Sequence, residues 1–394
     1  LPFWAAEGLR GGEGACGGAI PMRRHENLIK KGVSKSERGV VLLIVLVVVA
    51  ILTTIVVDLI YFTDVDMEIA LNSRNRVKAG YLAKSGIYLV AGALREKTLE
   101  ELAGFTSILD SRTDDRNGLW SIRVPQYPIG DGIVSLEVLD ERSKINLNAL
   151  VNQRSNIVDK QVKVQIEELS RFLNVDGGKS RDFVASLINW LDRPIKGAKN
   201  DQEANGAREG YYMGLSSPYR IKDGPLDSVE EIKLIRGMDD EYYAKIKDFV
   251  TIYPPDKRVS FSTAPVIVMK AVLKSATVSA IGRQTTGDPS DVPDDVAESI
   301  AEAIIEERAD NPVIDRKKVN EIIKDVDPTL LIAAGISGVV QLNGKSDVFS
   351  VKARAMLGDI DPTVKSVLAV LYKPASSGNK SNPPKVEIIS WKEL

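Results

Sequence analysis

Histidine and cysteine, the side chains that most often ligate transition metals or attack substrates, occur once each, as His25 and Cys16. Both precede Gly39, so the chain beyond it has no imidazole or thiol for a zinc site or a nucleophilic dyad, and no disulfide can form within it. What remains is oxygen chemistry. The carboxylates Asp192, Asp201, Glu203 and Glu209 fall between Asp192 and Tyr212. Asp201-Gln-Glu203-Ala-Asn205-Gly206 places oxygen donors at alternate positions ahead of a glycine, the opening half of a calcium loop. The bidentate acid that should end such a loop is missing, and Tyr212 stands there instead. Glu209 or Asp192 therefore has to close the shell, and the competing reading is a solvated acidic loop.

Two other constellations deserve the same weighing. Glu230 with Glu231 and Glu306 with Glu307 are paired acids of the kind a hydrolase uses, but neighbours on a helix point about 100° apart and do not converge on one substrate. Leu234-Ile-Arg-Gly237-Met-Asp-Asp-Glu-Tyr-Tyr-Ala244-Lys-Ile246 looks like a helix-hairpin-helix, with Ala334-Gly335-Ile-Ser-Gly338 as a weaker echo. A DNA-binding hairpin needs cations around its glycine turn. Asp239, Asp240 and Glu241 stand there, so the hairpin reads as a helix-packing device. No catalytic residue is assigned and no nucleic-acid partner is expected. The formal net charge of −2, from 52 basic and 54 acidic residues, gives no global field for either.

The element that positions everything else is the run VVLLIVLVVVAILTTIVV, residues 40–57, interrupted only by Thr53 and Thr54. At helical rise it spans about 27 Å, roughly the hydrocarbon thickness of a bilayer. Arg23, Arg24, Lys30, Lys31, Lys35 and Arg38 precede it, a flank that stays cytoplasmic and sends the rest across the membrane. No small-residue cleavage site follows, so a signal anchor is the plain reading. Leu1 and Met22 both stand as candidate starts. Beyond the run, Asp58–Lys78 and Tyr81–Lys97 are helix-compatible, with a face through Ile69, Ser73, Arg76, Gly80, Ala83, Ile87, Val90 and Leu94 that is apolar only in its second half. This predicts a stem, polar where it leaves the bilayer and then laid on a sheet.

Leu119–Val124 and Ile133–Leu139 alternate as strands, joined by a loop with Pro125, Pro128, Gly130 and Gly132. Matching strands come only at the far end: Val348–Ala355, Val364–Tyr372 and Val386–Trp391. The chain between, roughly Asn146–Val340, is then an inserted domain, mostly helical. Lys160–Leu173, Ser180–Leu191, Asp240–Phe249 and Asp294–Arg308 carry helical spacing, the last with Val296, Ile300, Ala303 and Ile304 on one face. Asp227-Ser228-Val-Glu-Glu231 reads as a capping box. Gly282–Asp294 reads as a mobile loop.

The Gly39-Val40 step at the cytoplasmic edge resembles the processing site of type IV pilins and pseudopilins. Within that superfamily, Ile44 stands where most members carry a glutamate, a departure that resembles the K-type minor pseudopilin of type II secretion systems. Further motifs are similar to that family in order and spacing: Asp140-Glu-Arg-Ser-Lys-Ile-Asn-Leu-Asn-Ala-Leu150, Leu187-Ile-Asn-Trp-Leu-Asp192, Tyr211-Tyr212, Ser217-Pro-Tyr-Arg220, Leu226–Met238 and Ser346–Ala355. Gly80–Leu89 is similar to a pseudopilin segment whose small residues bring helix and strands close.

The resemblance implies an α+β, pilin-like fold: leader 1–39, membrane stem 40–57, periplasmic stem 58–97, sheet 98–145 and 341–394, and inserted helical domain 146–340. It also implies cleavage by prepilin peptidase between Gly39 and Val40, methylation, inner-membrane anchoring and calcium near Asp192, Asp201, Glu203 and Glu209. The family carries further carboxylates where this chain has Arg193, Pro194, Arg208 and Gly210. The implied role is a non-enzymatic tip subunit of the periplasmic pseudopilus, with I- and J-type and possibly H-type partners, that starts assembly for protein export. The alternative is a membrane-anchored periplasmic DNA-binding helix-hairpin-helix protein.

Overall fold

The structure is a computed structural model that describes residues 35–96, 110–113, 120–193, 203–254, 256–281, 292–330, 332–358, 362–374 and 385–394. The apolar run and the stem after it form one helix, α1 (Lys35–Glu96). It takes part in two compact units, one ending at Ile69 and the other running from Ala70 to Leu394.

In the first unit the side chains of residues 40–57 are exposed on every side. This is the one helix among the described residues long and apolar enough to cross a membrane. Thr53 and Thr54 return their hydroxyls to the carbonyls of Val49 and Ala50 at 2.7 and 3.0 Å, so its two polar side chains are hydrogen-bonded without water.

In the second unit α1 buries Ala83, Ile87, Val90 and Leu94 against a six-stranded antiparallel sheet, while Ser73 and Arg76 stay exposed. The half-apolar face expected from the sequence is present. Close approach falls at Gly86, where a β-carbon would lie 2.7 Å from Leu136 Cδ2. At Gly80 the space is open.

The strands in chain order are β1 (Asp110–Thr113), β2 (Trp120–Ile129), β3 (Gly132–Asp140), the short β4 (Ile145–Asn146) and β5 (Val250–Thr251), β6 (Val348–Leu357), β7 (Thr363–Tyr372) and β8 (Glu387–Glu393). The large sheet has the order β1-β2-β3-β6-β7-β8, and β4 pairs with β5 in parallel. Val134, Leu136, Val138, Val351, Ala353, Val367 and Ala369 form the layer under α1.

Two details of the first strands differ from expectation. Strand β1 was not anticipated. The expected proline loop is part of β2, and only Gly130 and Asp131 turn, with Gly130 at φ 63°. The register slips between Val124 and Tyr127, a bulge where Pro125 owes no N–H to a regular ladder.

Strands β3 and β6 are neighbours, with Asp140 opposite Phe349, so everything between them is inserted at one end of the central ladder. The inserted helices are α2 (Lys160–Phe172), α3 (Gly177–Leu191), α4 (Glu209–Met213), α5 (Asp240–Ile246), α6 (Val266–Ile281), α7 (Asp294–Asp310), α8 (Arg316–Val326) and α9 (Ala333–Val339). Their core gathers Val162, Ile166, Phe183, Leu187, Val268, Val272, Ile300, Ile304, Val319 and Ile336. In α7 the buried face is Ala297, Ile300, Ala301 and Ile304, with Val296 and Ala303 at its margin. Helix α6, at the centre, escaped the sequence reading because Val268, Met269, Ala271, Val272, Leu273 and Ala276 are buried together with Lys274 and Ser275, so apolar and polar positions do not separate into a buried and an exposed face. Residues 282–291 of the expected mobile loop lie outside the described residues.

The capping box is replaced by a different arrangement. Val229–Leu234 is a 3-10 helix, and Ser228 provides no side-chain cap. Glu231 instead accepts from the backbone N–H of Asp227 at 2.9 Å and from Trp190 Nε1 at 2.8 Å.

The helix-hairpin-helix is a packing device. Gly237 turns at φ 94°, and a β-carbon there would sit 2.5 Å from the backbone nitrogen of Phe183. We expect Gly237→Ala to lower the unfolding free energy by roughly 2–4 kcal/mol, through backbone strain and overlap with α3, in a thermal or denaturant melt of the detergent-solubilised chain. An unchanged melt would mean that the turn is not pressed against α3.

Candidate functional site

The predicted carboxylates do not all come together. Asp192 closes α3 and is 4% exposed; its carboxylate accepts from Asn156 Nδ2, while Asn156 Oδ1 accepts from the Arg193 N–H at 3.0 Å. Glu203 turns toward α2, where Lys163 Nζ lies 2.6 Å from its Oε1. Glu209 begins α4 and accepts from the Ile221 N–H at 3.3 Å. Asp201 lies outside the described residues.

The sequence reading missed Asp223. Its carboxyl is pushed up by burial and then by the negative charges of Glu209 and Asp192, so these three acids share one neighbourhood. The local signal is Asp223-Gly224-Pro225, a turn in which Asp223 takes φ 52° and Gly224 donates to the Trp190 carbonyl at 3.1 Å. Among the described residues, no three such groups are close enough to hold a metal ion as they stand. The acids present suit a hard cation in kind, yet they do not complete a shell.

The paired acids diverge. Glu230 meets Lys392 at 2.9 Å, whereas Glu231 meets Lys222 at 2.8 Å; Glu307 meets Lys318 at 3.2 Å and Glu306 is exposed. Around the hairpin, Asp239 caps α5 through the Tyr242 N–H at 2.8 Å and pairs with Lys179 at 2.5 Å. That turn presents carboxylates where a phosphate would have to sit.

The densest polar cluster lies where the chain leaves and rejoins the sheet. Arg142 is 4% exposed. Its Nε and Nη2 donate to Asp347 at 2.5 and 3.0 Å, and its Nη1 donates to Asp256 at 2.8 Å and to the Arg258 carbonyl at 3.4 Å. Next to it, Asp140 accepts from the Arg142 N–H at 2.8 Å and from the hydroxyls of Thr263 and Ser346. Glu141 accepts from Lys144 at 2.9 Å and from Thr251.

Burial pushes the Asp140 carboxyl up to about 6, and its hydroxyl and amide donors only partly offset that. Burial also acts against Glu141 and Asp256, but Lys144 with Thr251 in one case, and Arg142 with the Arg258 amide in the other, hold both below their ordinary values. Three acids within one junction thus respond to pH in opposite directions.

A stem helix laid on an antiparallel sheet, with a helical domain inserted between two adjacent strands, defines a pilin-like α+β subunit with an enlarged head. Residues 143–255, the first part of that head, match the family model for type II secretion system protein K. Proteins of that name from Pectobacterium carotovorum subsp. carotovorum and from Pseudomonas aeruginosa are 23% identical over 224 residues and 24% identical over 244 residues. These alignments cover 56% and 61% of this chain, and 64% and 69% of the relatives. A solved complex of GspK, GspI and GspJ from enterotoxigenic Escherichia coli contains a chain of the same fold, with TM-score 0.50, 16% identity, and coverage of 82% of this chain and 99% of that one. The family match, the relatives and the shared fold together make the type II secretion system protein K family the one this chain is similar to.

The junction yields two predictions. A group held above its unfolded pKa favours folding when protonated, so the Asp140 contribution falls as pH rises from about 4 through about 6. Asp140→Asn should therefore flatten the decline in melting temperature between pH 5 and 7, and an unaltered slope would contradict this. Glu141 and Asp256 act oppositely, and their contribution is lost only in stronger acid. Arg142→Met, which leaves two carboxylates facing each other, should cost about 3–5 kcal/mol in a denaturant melt. A loss below about 1 kcal/mol, the level of an exposed pair, would show that the cluster does not hold the junction.

Proposed function

We propose that this chain is a non-enzymatic structural subunit of the type II secretion pseudopilus, placed at its tip with I- and J-type subunits and acting in assembly for export across the outer membrane. The observation that carries the reading is the insertion of a large helical head between β3 and β6 of a sheet that rests on a membrane-type stem helix. Stems can pack side by side, whereas a head inserted at the end of the two central strands obstructs a subunit stacking above it. Ile44, in place of the acid most pseudopilins carry, suits a first subunit that meets no earlier N-terminus. The cationic residues before Gly39 keep that end cytoplasmic and the head periplasmic. The diverging acids and the absence of His and Cys after Gly39 support a role without catalysis.

The test has two stages. Incubation of the precursor with prepilin peptidase should give a product whose first residue is Val40, and the head should then copurify with I- and J-type subunits. An uncut chain would favour a plain anchor, and salt-sensitive retention on DNA would favour the DNA-binding alternative.

We further propose that calcium lies against Asp192, Glu209 and Asp223, with Glu203 committed to Lys163. The support is electrostatic: burial and the neighbouring charges of Glu209 and Asp192 push the Asp223 carboxyl up, a cost that a divalent cation would relieve. Chelator should lower the melting temperature of the chain, and calcium should restore it; an identical melting curve would remove the metal.

A further inference from the structure

Asparagine followed by glycine is the step at which a peptide chain most readily attacks its own side chain, because glycine has no β-carbon to obstruct closure of the five-membered ring. Two such steps lie among the described residues, Asn205-Gly206 and Asn343-Gly344, and both asparagines are exposed. The fold treats them differently. The Gly206 N–H donates to the Glu203 carbonyl at 3.1 Å, which occupies the nitrogen that would have to attack. The Gly344 N–H has no hydrogen-bond partner among the described residues.

At Asn343 the side chain is also folded toward the reaction. Its Oδ1 accepts from the Lys345 N–H at 3.2 Å, a turn that bends the carboxamide back over the intervening Gly344 peptide. The electrophilic Cγ is thereby held beside the Gly344 nitrogen. The Lys345 N–H sits on the oxygen that gains negative charge when that nitrogen attacks. Among the described residues, no donor reaches the Asn205 side chain in this way.

We propose that Asn343-Gly344 is a site of spontaneous deamidation that ages the junction between head and sheet. The Gly344 nitrogen bonds to Asn343 Cγ as the Cγ–Nδ2 bond breaks, and Nδ2 leaves as ammonia with the proton of the Gly344 N–H. Water then opens the ring. Attack at Cγ gives aspartate, attack at the backbone carbonyl carbon gives isoaspartate, and neither route needs an oxidant or a reductant.

Isoaspartate runs the main chain through Cβ and Cγ and so lengthens it by one atom. The returning segment has no room for this. A β-carbon on Gly344 would lie 2.4 Å from the Ile314 carbonyl oxygen, and the Gly344 carbonyl accepts from the Ser262 hydroxyl at 2.8 Å. Ser346 and Asp347, which hold Asp140 and Arg142, follow directly along the chain. A shift of Gly344 is therefore passed to the ion cluster.

The test is storage of the full detergent-solubilised chain in warm, mildly alkaline buffer, then peptide mass spectrometry across both steps and labelling of isoaspartate by protein isoaspartyl methyltransferase. In the folded chain Asn343 should be converted at least about tenfold faster than Asn205, and in denaturant the two rates should come together. The aged chain should melt at least about 2 °C lower. Asn343→Ser, whose hydroxyl still accepts from the Lys345 N–H and cannot close the ring, should keep its starting melting temperature. Equal rates at the two steps in the folded chain, or an unconverted Asn343, overturn the site. Conversion at Asn343 with an unchanged melting temperature overturns its effect on the junction. A fall in melting temperature that Asn343→Ser shares also overturns that effect, because the ageing then lies elsewhere.

Discussion

A domain inserted between two neighbouring strands confronts the chain with a specific difficulty: exit and return lie side by side, and whatever joins them sets the pose of the head. In this protein the join is the guanidinium of Arg142, forked between Asp347 on the returning chain and Asp256 within the inserted domain. Desolvating such a cluster is expensive, and replacing it with apolar residues of equal volume often costs no stability. What an ion cluster offers in addition is direction. A planar fork satisfied by two carboxylates and a carbonyl accepts one arrangement of three segments, whereas apolar packing tolerates several. Asp140 and Glu141 extend the same logic by tying hydroxyls from the inserted domain and from the returning segment to the end of β3.

From that fixed joint the two cores develop separately. One is the layer between α1 and the sheet, and the other is the helical core around α6. Each closes on its own apolar residues, so the head can be large without drawing on the small sheet for its stability. The same separation suits the proposed role, because the head is added to the layer of stem helix and sheet without interrupting its core.

Much of this was legible in the sequence, for identifiable reasons. The membrane segment is readable from length and apolarity alone. Strand β3 alternates cleanly because one side faces α1, and α2 and α7 show themselves through one buried stripe each. The unread elements lack that contrast. Helix α6 is buried on most sides, β1 is only four residues long, and β2 hides its prolines in a bulge. At the candidate metal loop, the sequence supplied Asp192 and Glu209 but grouped them with Glu203, which lies on another side against Lys163. Asp223 was invisible because its tie to Glu209 and Asp192 is purely spatial. The same holds for Arg142 and Asp347, which lie 205 positions apart and meet only once the sheet has closed.

The decisive observation is where the head lies on an assembled fibre. Gold or fluorescent labelling of the inserted domain, read by electron microscopy of pseudopili assembled with I- and J-type subunits, should place the label at one end of each fibre and nowhere along its length. Label repeated along the shaft would contradict a head that obstructs stacking, and with it the link drawn here between the inserted domain and a terminal position.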